Sequence, residues 1–117
     1  MKVIINASHK LLPQQLSLLR DLGGDIETVP IPADGITTDE QQAMAERLLL
    51  GGGRIVFISP VPVLLGRLAA LAATAVATGA GDISVYVLAR DRREAIEGEG
   101  VVAHRIGADG WRLVRIV

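Results

Sequence analysis

Asn6, Ser8, His9 and Lys10 place an amide, a hydroxyl, a titratable imidazole and a fixed positive charge within five residues, directly after the apolar run Val3-Ile4-Ile5. These are the groups that hold a phosphate, polarise it and move a proton to or from it. No other segment of the chain packs polar chemistry so closely against a buried-looking strand. Each residue also has an ordinary reading: Ser8 as a turn residue bonded to its own backbone, and His9 as a loop histidine beside a helix start. The combination carries more weight than any member.

Three further sets could join them. Ser59-Pro60 follows the unbroken apolar run Ile55-Val56-Phe57-Ile58, and a serine there can cap a following helix whose first turn holds Pro60 or Pro62. Free N–H groups at such a start, with the positive end of the helix dipole, would point into the same crevice as Ser8 and His9. Arg67, in the second turn of that helix, could reach an anion bound at its start or pair with the domain's own acids. Arg90 opens the charged run Arg90-Asp91-Arg92-Arg93-Glu94, which reads as a solvated segment from which one arginine could line a pocket.

The elements that must position these residues alternate between strand and helix. The pattern predicts strands over Lys2–Asn6, Ile26–Pro30, Ile55–Ile58 and Ile83–Leu88, with helices from Pro13 to Leu22, from Thr38 to Leu50, and from Pro60 or Pro62 to Thr78. Gly23-Gly24, Gly51-Gly52-Gly53 and Gly79-Ala80-Gly81 end the helices, and Thr38 with Gln41 has capping-box spacing. Pro30 and Pro32 put the second strand at an edge. Ile55–Ile58, apolar throughout, reads as a central parallel strand covered on both faces. Val101–Ile106 and Trp111–Val117 flank Gly107-Ala108-Asp109-Gly110, a hairpin signal. The expected fold is one α/β domain over residues 1–117, a three-layer sandwich around a mostly parallel sheet of about four strands with a C-terminal β-hairpin. In such sheets ligands bind at the carboxyl ends of the strands. Leu64, Leu68 and Leu71 give the third helix bulk for the sheet, and Ala69, Ala73 and Ala77 form a flat stripe that reads equally as crowded packing or as a subunit contact. Trp111 reads as core.

Composition narrows the function. Half of the 117 residues are apolar, enough for one contiguous core, and only 3% are aromatic. The formal charge is −1. A long nucleic acid needs a broad basic stripe and usually stacking aromatics, and neither is present, whereas a compact phosphate ligand needs only local donors. The chain has no cysteine, which removes disulfides, zinc-thiolate sites and thiol nucleophiles and fits a cytoplasmic setting. The apolar run after Met1-Lys2 is too short for a signal peptide, and the apolar stretch Val61–Gly81 is broken by Arg67 and opens on a proline, so no membrane span is expected. Gly51-Gly52-Gly53 precedes a strand and cannot be a dinucleotide-binding turn, and no Walker lysine motif or nucleophile elbow occurs. His9 and His104 have no carboxylate partner at a telling spacing, and metal ligands are not clustered in the sequence, so no metal and no cofactor is expected.

The series Asn6-x-Ser8-His9-x-Leu11-x-Pro13-x-Gln15 after the first strand, with Ser59-Pro60 before an Ala/Leu-rich helix, resembles the small CRISPR-associated ring nucleases of type III systems, which are related to the CARF Rossmann-like domains. The likeness in element order covers most of the chain, and that in distinctive residues covers these two segments. It implies a cytoplasmic homodimer that binds a cyclic oligoadenylate, most often the four-adenylate ring, across its two-fold axis. It further implies metal-independent cleavage by ribose 2′-hydroxyl attack, leaving a 2′,3′-cyclic phosphate. Ser8, His9 and Lys10 would then be catalytic, with Asn6, Ser59, Pro60, Arg67 and Arg90 binding ligand. A module that captures the ring without cutting it, as a sensor or sponge, fits the same residues. A third reading is a structural dimer or adaptor that recruits a partner through the alanine stripe and leaves the crevice incidental.

Overall fold

The alternation of strand side chains between the two sheet faces determines how the chain layers. In the computed structural model, residues 1–90, 94–98, 101–105 and 110–117 are described, with side chains for 1–90 and 110–117. The elements run β1 (Lys2–Asn6), α1 (Pro13–Leu22), β2 (Glu27–Ile31), α2 (Thr38–Gly51), β3 (Gly53–Phe57), α3 (Pro62–Thr78), β4 (Ile83–Arg90), β5 (Glu94–Gly98), β6 (Val101–Arg105) and β7 (Trp111–Arg115). The main sheet has the order β2-β1-β3-β4-β7. The first four strands are parallel and β7 is antiparallel to β4.

Successive side chains of a strand point to opposite faces. Ile4, Ile55, Phe57, Ile83 and Val85 accordingly pack with Ala45 and Leu48 of α2 and Leu64, Leu68 and Ala72 of α3. Val3 and Val56 face the other way and pack with Leu19 of α1, joined by Leu22, Ile58, Tyr86 and Leu113. The result is the expected α/β sandwich, with α1 on one face and α2 and α3 on the other. Its central strands, buried on both faces, are the unbroken apolar runs seen in the sequence. No helix among the described residues is long and apolar enough to cross a membrane.

Several local expectations need correction. Thr37, not Thr38, caps α2: its hydroxyl accepts from the Glu40 N–H at 3.1 Å, and the Glu40 carboxylate accepts from the Thr37 N–H at 3.4 Å. The box is shifted by one residue, with Glu in place of Gln. Ser59 does not cap α3. That helix begins at Pro62, after Val61 in a non-helical conformation (φ −131°, ψ 83°). The reason is the pair Pro60 and Pro62, since a proline pushes the residue before it out of helical geometry. The C-terminal hairpin also pairs differently. β6 joins β5, which begins at Glu94, the last residue of the charged run, while β7 pairs along β4, with Arg90 opposite Trp111. Residues 91–93, most of the expected turn at 107–110, and the His104 side chain lie outside the description.

α1 is closed at both ends by contacts that the sequence does not display. Gln15, buried, accepts the Leu12 N–H at 3.0 Å through its side-chain oxygen. Leu12 at the cap position has no side-chain acceptor, so Gln15 does the capping alone. At the other end the Arg54 guanidinium donates to the carbonyls of Leu22 and Gly23, a cation on the negative end of the helix.

Candidate functional site

The strand order places a topological switch point between β1 and β3. From β1 the chain steps outward to β2, then crosses back to β3 on the far side of β1, so the connections after β1 and β3 diverge and leave a crevice at their carboxyl ends. Ser8, His9 and Lys10 follow β1, and Ser59 and Pro60 follow β3. All five line a cavity of about 610 Å³, whose other walls are Leu12, Gln15, Phe57, Ile58, Leu65, Val87, Leu88 and Trp111. The volume falls in the range of small-molecule sites, about 300–1,000 Å³, and the character matches too: apolar walls with few polar groups at one side. A second cavity of about 160 Å³ lies across Ser59 and Pro60, lined by Asn6, Gln41, Ile31, Val61 and Pro62 among others.

The loop after β1 is organised by Asn6. Its side-chain oxygen accepts from both the N–H and the hydroxyl of Ser8, at 2.9 Å and 2.6 Å, and its carbonyl accepts the His9 N–H at 2.9 Å. This Asx turn holds Ser8 and His9 at the cavity edge, where both are exposed. It also determines what Ser8 can do. With its proton spent on Asn6, Ser8 Oγ presents lone pairs and accepts from a ligand donor such as a sugar hydroxyl.

Ser59 is buried, 4% exposed. Its Oγ accepts the Asn6 N–H at 2.8 Å and lies 3.4 Å from His9 Nδ1. The hydroxyl therefore faces the imidazole and the β1 backbone. The α3 start differs from expectation in the same sense. Pro62 has no N–H, the Leu64 N–H donates to Gln41 Oε1 at 2.8 Å, and the Leu65 N–H donates to the Val61 carbonyl at 2.8 Å. Most of the donors a phosphate would use there are already occupied. Lys10 is then the ammonium on the wall of the larger cavity.

The two arginines are placed apart from this wall. Arg67 is exposed on α3 and lines neither cavity. Arg90 lies over the Trp111 ring, 5.3 Å from its centroid, a cation–π geometry with a residue of the cavity wall. Sequence reasoning missed Trp111, assigned to the core but half-buried on the cavity wall, and Gln14, whose side-chain oxygen accepts the Trp111 backbone N–H at 3.2 Å. A lone tryptophan at the start of a strand after a turn-rich loop was the available signal. Among the described residues no three His, Asp or Glu side chains gather as metal ligands would. No protein-family model, curated protein or solved structure matches this chain.

Proposed function

We propose that the cavity between the ends of β1 and β3 binds one nucleotide unit of a cyclic oligoadenylate, and that the protein is a ring nuclease opening that ring, most often the four-adenylate one, by attack of a ribose 2′-hydroxyl on the adjacent phosphorus. The observation that carries the reading is the shared cavity wall: Ser8, His9 and Lys10 stand along one edge of an apolar chamber at the switch point. Trp111, Phe57, Leu88 and Val87 suit a purine ring, while Lys10 suits a phosphate and Ser8 Oγ can accept from the ribose hydroxyl that attacks. Holding nucleophile and phosphorus in line can lower the barrier by about 7–11 kcal/mol, so positioning carries most of the chemistry. In the step itself the 2′-oxygen forms a bond to phosphorus and the bond to the 5′-oxygen breaks. The 2′-hydroxyl loses its proton, the leaving oxygen gains one, and a linear product with a 2′,3′-cyclic phosphate results. Lys10 offsets charge on the phosphoryl oxygens and His9 serves the proton transfer.

The chamber's size favours one unit per subunit rather than a whole ring. Two copies related by a two-fold axis would present the same donors to each half of a symmetric ligand, which supports a homodimer. A second reading, capture without cleavage as a sensor or sponge, is favoured by the occupied N–H groups at the α3 start, which leave few donors for a charged transition state. Trp111 is the chain's only tryptophan, so its fluorescence reports occupancy. Titration with cyclic tetra-adenylate should change that emission saturably, and with adenosine alone weakly. An unchanged spectrum at millimolar ring would remove the ligand from the proposal.

A further inference from the structure

We infer that Ser59 is a positioning residue that fixes neutral His9 as the Nε2–H tautomer, so that His9 meets the ligand as a donor and not as a base. Its catalytic meaning rests on the proposed function; the tautomer rests on geometry alone. A serine hydroxyl has one proton to give and two lone pairs. Ser59 is buried, and one lone pair is taken by the Asn6 N–H at 2.8 Å. Among the described residues, the one acceptor within hydrogen-bonding distance of that hydroxyl is His9 Nδ1, at 3.4 Å. A buried hydroxyl proton without an acceptor is costly, so the Ser59 O–H donates to Nδ1. A neutral imidazole that accepts at Nδ1 carries its hydrogen at Nε2. The opposite arrangement, Nδ1–H donating to Oγ, leaves the serine proton with no protein acceptor among the described residues.

Nε2 therefore bears hydrogen in both protonation states of His9. In the neutral form it donates a hydrogen bond to a phosphoryl or leaving oxygen. In the cationic form it can give the proton to the 5′-oxygen as the phosphorus–oxygen bond breaks, while the 2′-hydroxyl proton passes to solvent water. A base role through Nε2 would need the tautomer that Ser59 disfavours.

Two-bond ¹H–¹⁵N spectra of the full chain above the histidine titration test this directly. There are two histidines, and His9→Asn assigns the signals. The expected ratio of Nε2–H to Nδ1–H at His9 exceeds that in Ser59→Ala by about two- to tenfold, the range one ordinary hydrogen bond supplies. Ser59→Thr, which keeps the hydroxyl, should restore the wild-type ratio and the single-turnover cleavage rate that Ser59→Ala loses. A dominant Nδ1–H form in the wild type, or the same ratio in Ser59→Ala, overturns the inference. The expected tautomer ratios in a protein that leaves cyclic tetra-adenylate intact would support the Ser59–His9 assignment and remove the proposed reaction, so the two failures are distinct.

Discussion

The backbone N–H of Asn6 donates to Ser59 Oγ at 2.8 Å, tying the carboxyl ends of β1 and β3 together at the point where their connections part. The same serine abuts His9, so one buried hydroxyl both closes the sheet end and backs the cavity wall. Removing it leaves the Asn6 N–H without its partner. We expect Ser59→Ala to lower stability by about 1–3 kcal/mol, the cost of an unsatisfied buried donor. The check is the midpoint of a denaturant titration at unchanged slope. An unaltered midpoint would mean that this bond does not organise the strand ends.

Gln41 separates capping from ligand binding. Its side chain reaches from α2 to the Leu64 N–H at 2.8 Å, performing at a distance the capping that Ser59 was expected to perform locally. Gln41→Ala should cost about 0.5–2 kcal/mol, as loss of a helix cap does. Affinity for cyclic tetra-adenylate, followed by Trp111 fluorescence, should stay within about twofold once the folded fraction is accounted for. A large gain in affinity would show that the freed N–H binds phosphate and that the helix start matters more than Lys10.

The cations divide in the same way. Lys10 lines the cavity and Arg67 is exposed away from it. Lys10→Ala should weaken binding about tenfold or more, the scale of one charge-assisted hydrogen bond, and flatten its salt dependence. Arg67→Ala should leave both within about twofold. The reverse pattern, measured by titration at two salt concentrations, would relocate the phosphate to α3.

The layers of the fold were legible because burial imposes them. Ile55, Val56 and Phe57, buried on both faces, read as a central strand, and Pro30 placed β2 at the edge it occupies. The strand order, and so the switch point, followed only in outline, since no local pattern says which strands neighbour one another. Contacts made by long polar side chains were not legible at all. Gln14, Gln41 and Arg54 each bond backbone more than 20 residues away, and nothing in local spacing marks such partners. The start of α3 was misread for a local reason, because the constraint each proline puts on its predecessor outweighed the capping preference of Ser59. The pairing of β7 with β4 rather than β6 shows the limit of a hairpin signal, which reports a turn and leaves the partner open.

Product analysis tests the central claim most directly. The purified protein is incubated with cyclic tri-, tetra- and hexa-adenylate in EDTA, and the products are separated by chromatography. The account predicts conversion of cyclic tetra-adenylate to linear oligoadenylate ending in a 2′,3′-cyclic phosphate, slowed at least about tenfold by His9→Ala. Rings that remain intact for hours in the presence of stoichiometric protein, with unchanged Trp111 emission, would contradict it.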